Sequence, residues 1–245
     1  METESVTPLA ILIDADNTPH GAMGQVLDHC HKFGNTIIRR AYGDWSTPQL
    51  KEWSTIFKEY AIKPMQQFQY TTGKNSTDIA MVIDAMDILH SKNVETFILV
   101  TSDSDFTGLS IRIREEGLRV IGIGRKTAPQ SFVKGCQEFV FIENLMPSSN
   151  AKNSSNAAGA FKYIRDGEDP EGRNLLTKAV QILADENGIV LGADLGLMLR
   201  KLDPSFSPVN YGSKNLTEFI RKHPDILVDT RQKSGQDKKY KTTLT

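Results

Sequence analysis

Two short segments of this 245-residue chain set aspartates one residue apart just beyond apolar runs. The first is Asp14-Ala15-Asp16-Asn17-Thr18, after residues 9–13. The second is Ser102-Asp103-Ser104-Asp105-Phe106, after residues 96–100 and Thr101. Carboxylates brought together repel and raise one another's pKa unless a cation sits between them. An all-oxygen donor set suits a hard divalent cation, Mg²⁺ or Mn²⁺. A third acid, Asp78, is expected in the first turn of a helix. Alone it would do no more than complement the helix dipole; beside two acidic pairs it is read as a further member of the cluster. Asp84 and Asp87, further along that helix, are read as solvated charges. Asp16, Asn17 and Asp105 could each cap a following helix, a common role for such residues after a strand.

A cation held by carboxylates pairs naturally with phosphate oxygens and lowers the pKa of its bound water, so phosphodiester hydrolysis is the first choice of chemistry. Asp14-Ala15-Asp16-Asn17-Thr18 also fits the DxDxT pattern of haloacid-dehalogenase-type phosphatases, with the first Asp as nucleophile. That reading needs a Ser/Thr strand end, then a Lys, then a separate acidic pair. Here Thr101 or Ser102 and Asp103/Asp105 share one strand end, and Lys126 and Lys134 come too late.

The acids can meet only if the strands that carry them are neighbours. Residues 9–13 suit a buried parallel strand. Thr18-Pro19 reads as the N-cap and first residue of a helix, with Met23, Val26, Leu27 and Cys30 as its apolar stripe and Gly34 as its stop. Residues 36–42, 63–68, 96–100, 118–123 and 139–142 read as further strands. Between them lie helical patterns: Leu50, Trp53, Phe57 and Tyr60; Ile79, Val82, Ile83, Met86 and Leu89 after Ser76/Thr77; and Leu109 with Ile113, ending at Gly117. Such alternation implies an α/β fold, a mostly parallel sheet with helices on both faces. Ligands there bind beyond the carboxyl ends of the strands, at the switch point of the strand order. If the first and fourth strands are neighbours, Asp14 and Asp103 stand side by side.

Composition is that of an ordinary globular chain, 39% hydrophobic and 24% charged. No apolar run is long enough to cross a bilayer, and the acidic start Met1-Glu2-Thr3-Glu4-Ser5 lacks the features of a secretory signal. The two cysteines, Cys30 and Cys136, are far apart. His29, Cys30 and His31 are adjacent and point to different sides of a helix, so they cannot share a metal. A reducing, cytoplasmic location is expected. Residues 1–146 carry 14 Lys and Arg against 18 Asp and Glu, and residues 147–245 carry 15 against 12. An acidic front half followed by a basic back half suits a carboxylate centre joined to a module that meets polyanions.

The composition changes at Pro147, where Ser, Asn and Ala dominate, and residues 147–170 read as a flexible linker between a domain at 1–146 and one at 171–245. In the second, Leu175, Leu176, Ala179, Val180 and Leu183 form a helical face closed by Gly188. Helices are expected near residues 195–202 and after Ser213. Residues 226–228 and Lys238-Lys239-Tyr240-Lys241 could pair as two strands, giving a winged-helix outline.

Residues 9–145 resemble the NYN domain family, PIN-like nuclease relatives that include the LabA-like proteins. The segments that carry the resemblance are Ile13-Asp14-Ala15-Asp16-Asn17, Arg40-Ala41-Tyr42-Gly43-Asp44-Trp45, Lys74 with Asp78 and Asp84, and Thr101-Ser102-Asp103-Ser104-Asp105-Phe106. It implies a Rossmann-like PIN fold and a Mg²⁺- or Mn²⁺-dependent ribonuclease, with Asp14, Asp78, Asp103 and Asp105 as catalytic metal ligands. Asn75-Ser76-Thr77 and Glu138 depart from the family pattern. Residues 171–230 resemble the OST-HTH or LOTUS domain through residues 195–202, Asp203-Pro204, Val209-Asn210-Tyr211-Gly212 and residues 216–220. Such domains bind RNA or dock proteins, and Tyr211 and Lys214 would lie on the contact face. In the first domain Asn17, Arg40, Trp45, Lys74 and Ser102 are expected to contact substrate: the basic residues through phosphates, Trp45 by stacking on unpaired bases. RNA, preferably single-stranded, is the expected partner, with room left for a protein partner of the LOTUS domain and for a homo-oligomer. The alternative of another class is a non-catalytic RNA-binding adaptor on the same fold.

Overall fold

The computed structural model describes residues 7–68, 75–146, 169–230 and 238–243. Most of the expected linker, and Lys74, lie outside those residues. The chain forms two compact units, Met1–Pro147 and Ser148–Thr245.

The first unit opens with β1 (Pro8–Asp14), in which Leu9 through Ile13 are wholly buried. Burial on both faces is what a continuous apolar run demands of a central parallel strand. The chain continues through α1 (Met23–Cys30), β2 (Asn35–Gly43), α2 (Trp53–Tyr60), β3 (Lys63–Gln66), α3 (Ser76–Ser91), β4 (Thr96–Val100), α4 (Thr107–Glu115), β5 (Arg119–Gly124), α5 (Gln130–Gly135), β6 (Glu138–Phe141) and α6 (Ile142–Leu145). The six strands pair in parallel in the order β3-β2-β1-β4-β5-β6. The order reverses between β1 and β4, where Ile13 registers with Val100. The carboxyl ends of those two strands, each followed by aspartates, are therefore adjacent.

Two cores flank the sheet. Leu9, Ile11, Ile13, Ile98 and Val100 face one side with Met23, Val26 and Trp53. Ala10, Leu12, Phe97 and Leu99 face the other with Met81, Ala85, Phe106 and Ile113.

Two local expectations are corrected. Thr18 does not cap α1: its hydroxyl donates to the Val100 carbonyl at 3.2 Å, and a 3-10 turn, His20–Ala22, leads into the helix. A polar side chain at the switch point thus ties β1's exit to β4. α3 is rotated from the expected face. It buries Thr77, Met81, Ala85, Ile88 and Leu89, whereas Ile79 and Ile83 are 59% and 58% exposed. The short helices α5 and α6 were not legible, being too brief to show a period.

The second unit contains α7 (Pro170–Leu183), β7 (Ile189–Leu191), α8 (Gly192–Leu202), α9 (Leu216–Arg221), β8 (Leu227–Asp229) and β9 (Lys239–Thr242). Asp169 caps α7 by accepting from the Gly172 amide, and Asn215 caps α9 by accepting from the Glu218 amide. The strands pair antiparallel in the order β7-β9-β8, so the expected hairpin gains a third strand. Leu176, Leu195, Leu199, Phe219, Ile220 and Tyr240 are central to its core.

Candidate metal centre

Asp14 ends β1 with 1% of its surface exposed. Its carboxylate accepts from the Thr101 hydroxyl at 2.7 Å and from the Asn17 side-chain and backbone N–H groups at 2.8 and 3.2 Å. Burial raises the Asp14 pKa, and these three donors oppose the rise. Thr101 also accepts from the Asp103 amide at 3.1 Å. One buried hydroxyl therefore fastens the ends of both acid-bearing strands. Room for this close approach depends on Gly124 at the end of β5, because a Cβ there would lie 2.3 Å from the Thr101 carbonyl oxygen.

Asp103 caps the turn Ser104–Phe106, its Oδ1 accepting from the Asp105 amide at 2.9 Å. Phe106 is wholly buried and anchors that turn. The cap is thus Asp103 and not Asp105, whose Oδ2 instead accepts from Asn75 Nδ2 at 2.6 Å. Asp78 lies in the first turn of α3. One carboxylate oxygen each from Asp78, Asp103 and Asp105 lie within 4.8 Å of one another. Asp14 stands beside this triad, outside it. The Asp78 pKa is pushed up to about 6, first by burial and then by the charges of Asp14, Asp103, Asp105 and Asp16.

Among the described residues no Lys or Arg forms an ion pair with these four acids. Convergent carboxylates are a donor set that a divalent cation fits, and all-oxygen ligation favours a hard ion. The same geometry suits a nucleophilic Asp14 poorly, since the residue is buried and both oxygens are held by hydrogen bonds.

A model of the NYN domain matches residues 8–143, more than half of the chain. The chain belongs to the NYN domain family. An OST-HTH/LOTUS domain model matches residues 169–237. An uncharacterized protein of Methanocaldococcus jannaschii is 25% identical over 137 residues, 54% of this chain and 53% of that protein. The chain thus spans about half the length of that relative. A Vibrio parahaemolyticus protein of unknown function is similar in structure, with a TM-score of 0.49 and 22% identity over 58% of this chain and 96% of its own. An uncharacterized Nitrosomonas europaea protein gives a TM-score of 0.28 at 22% identity, over 41% of this chain and 93% of its own.

Within the NYN unit the other expected contact residues that the structure describes are already engaged. Asn17 is exposed and donates to Asp14. The Ser102 hydroxyl accepts from the Arg125 amide at 2.8 Å, fixing the loop after β5. Trp45 packs edge-on against Phe57, with ring centroids 4.7 Å apart, and beside Trp53, so its half-buried ring covers one core. Arg40 pairs with Asp84. In the LOTUS unit Lys214 is exposed, but Tyr211 is 6% exposed and packs against Phe206 and Phe219. Its ring belongs to the core and does not form the expected contact face.

Two features escaped the sequence reading. Thr101 stands in a segment that carries the NYN resemblance, but nothing in its type or place marks it as the donor to Asp14. Asp84 was read as solvated, yet its carboxylate accepts from both Arg40 Nη1 and the Tyr42 hydroxyl. The available signal was its place in the stripe Met81, Asp84, Ala85, Ile88, spaced as one helix face.

Proposed function

We propose that this chain is a divalent-metal-dependent ribonuclease, with an NYN unit that hydrolyses phosphodiester bonds of single-stranded RNA and a LOTUS unit that holds the RNA. The observation that carries this reading is the convergence of Asp78, Asp103 and Asp105 oxygens within 4.8 Å. Family membership supports it, since NYN domains are generally nucleases.

In this reading the three carboxylates hold Mg²⁺ or Mn²⁺. When bound, the cation supplies charge stabilisation to phosphate oxygens and a water of lowered pKa. Asp14 adds negative charge beside the ion and, through Thr101 and Asn17, keeps the two strand ends in place. Arg125 is exposed on a loop held by Ser102 and Glu143, which accepts from the Lys126 amide. It is suited to meet a phosphate of the bound strand. Lys74 has the same role by its place in the motif, and Lys214 does so on the LOTUS unit. A cytoplasmic location belongs to this reading. Among the described residues no helix is long and apolar enough to cross a membrane.

The test is cleavage of a single-stranded RNA in Mg²⁺ or Mn²⁺ by the full chain and by Asp78→Asn and Asp103→Asn. Loss of cleavage in both variants is expected. Undiminished cleavage in both overturns the site. Tight, salt-sensitive RNA binding with no cleavage by the unmodified chain in any divalent metal replaces the reading with that of an RNA-binding adaptor.

A further inference from the structure

Asp78 reaches the triad from the first turn of a helix, the part of a helix least restrained by its own hydrogen bonds. α3 has no side-chain cap at that end: Asn75 occupies the N-cap position but makes no capping bond, and its amide donates to Asp105 instead. The apolar anchors Met81, Ala85, Ile88 and Leu89 all follow Asp78 in the chain. Met81 and Ala85 are the ones nearest the site, and Ala85 offers little side chain to resist rotation.

Asp84 supplies a directional restraint at this point. Six residues separate it from Asp78, about 9 Å along the axis and about 120° around it. The buried stripe of Met81, Ala85 and Ile88 runs between the two acids, so turning the helix displaces both. The Asp84 carboxylate is held at one oxygen by Arg40 Nη1 and at the other by the Tyr42 hydroxyl, both from β2. Two donors on two oxygens fix direction as well as distance. Tyr42 is 1% exposed, and its backbone registers with Asp14 on β1. A chain of contacts therefore runs from the strand position of Asp14 through Tyr42 and Asp84 to the helix that presents Asp78. Arg40 also offsets the Asp84 charge.

We propose that Asp84 is a positioning residue for the cation site, clamped by Arg40 and Tyr42 so that α3 carries the Asp78 carboxylate to Asp103 and Asp105. This rests on the reading of the triad as a cation site. It assigns no contact between Asp84 and the ion.

The test is Mn²⁺ titration of the full chain by calorimetry and by the paramagnetic resonance of free Mn²⁺, well below the melting temperature. The variants are Asp84→Asn, Tyr42→Phe, the double variant, and Asp87→Asn as an exposed control on the same helix. Asp84→Asn and Tyr42→Phe are expected to weaken Mn²⁺ binding roughly tenfold, the lower end of the effect of residues that orient metal ligands. The double variant is expected to bind no more weakly than Asp84→Asn, because both changes remove one shared restraint. Asp87→Asn is expected to bind as the unmodified chain does. A helix that is merely less stable would melt earlier yet keep its affinity at low temperature. Affinity unchanged in both single variants overturns the role of Asp84. Absence of Mn²⁺ binding by the unmodified chain overturns the cation reading itself. Tyr42→Phe removes one hydroxyl and keeps the ring, so it serves as the decisive variant if Asp84→Asn does not fold.

Discussion

The Thr101 hydroxyl donates to the Asp14 carboxylate at 2.7 Å across a gap of 87 residues in sequence. The bond joins the ends of the two central strands at the point where the strand order reverses. Thr101→Val keeps the side-chain shape and removes the donor. A hydrogen bond to a charged group contributes about 1.5–3 kcal/mol, and a loss of that order is expected in chemical denaturation of the metal-free protein. An unchanged midpoint would show that Asp14 finds another donor.

Asp103→Asn separates the two jobs of Asp103. Its amide oxygen can still accept from the Asp105 N–H, so the turn over Ser104–Phe106 is expected to persist. One of the charges that raise the Asp78 pKa is gone. The Asp78 carboxyl is therefore expected to titrate below about 6 in the variant, followed by NMR of the side-chain carbon. Titration at the same pH in both proteins would refute the charge coupling.

The raised Asp78 pKa also sets the pH dependence of stability. Its pKa lies above the ordinary value of 3.8, so the folded metal-free protein binds this proton more tightly than the unfolded chain does. The stabilisation from this group is complete below about pH 3.8 and is lost as pH rises through about 6. Asp14, also shifted upward, acts in the same direction. Bound Mg²⁺ is expected to raise the melting temperature more at pH 7.5 than at pH 5, where protons compete for the carboxylate. An equal rise at both pH values would speak against Asp78 as a ligand.

Phe219 in the LOTUS unit is wholly buried and touches Phe206, Tyr211 and His223. Phe219→Ala is expected to cost about 3–5 kcal/mol through lost burial and the cavity left behind. The melting of that unit, followed by near-ultraviolet circular dichroism, reports it.

The strand-end acids were legible because each pair follows a run of wholly apolar residues, and such runs mark central parallel strands. The rotation of α3 was not. Its apolar residues nearly encircle the helix, so periodicity admits more than one buried face, and the face that wins contains Asp84. A carboxylate in a buried stripe looks like solvent exposure until its partners are known, and Arg40 and Tyr42 lie more than forty residues away in sequence. Tyr211 misled in the opposite sense. A tyrosine near a recognition-type helix suggests a surface role, but its ring packs with Phe206 and Phe219. The strand β7, at three residues, is too short for alternation to show.

β4 enters the sheet beside β1 only after β2, β3 and α3 have been made, and it brings Asp103 and Asp105 with it. A chain still emerging from the ribosome, with residues up to α3 exposed, holds Asp14 and Asp78 but lacks the acids that complete the triad. The triad is therefore completed late in chain order, and a chain ending before β4 would leave Asp78 without either partner acid.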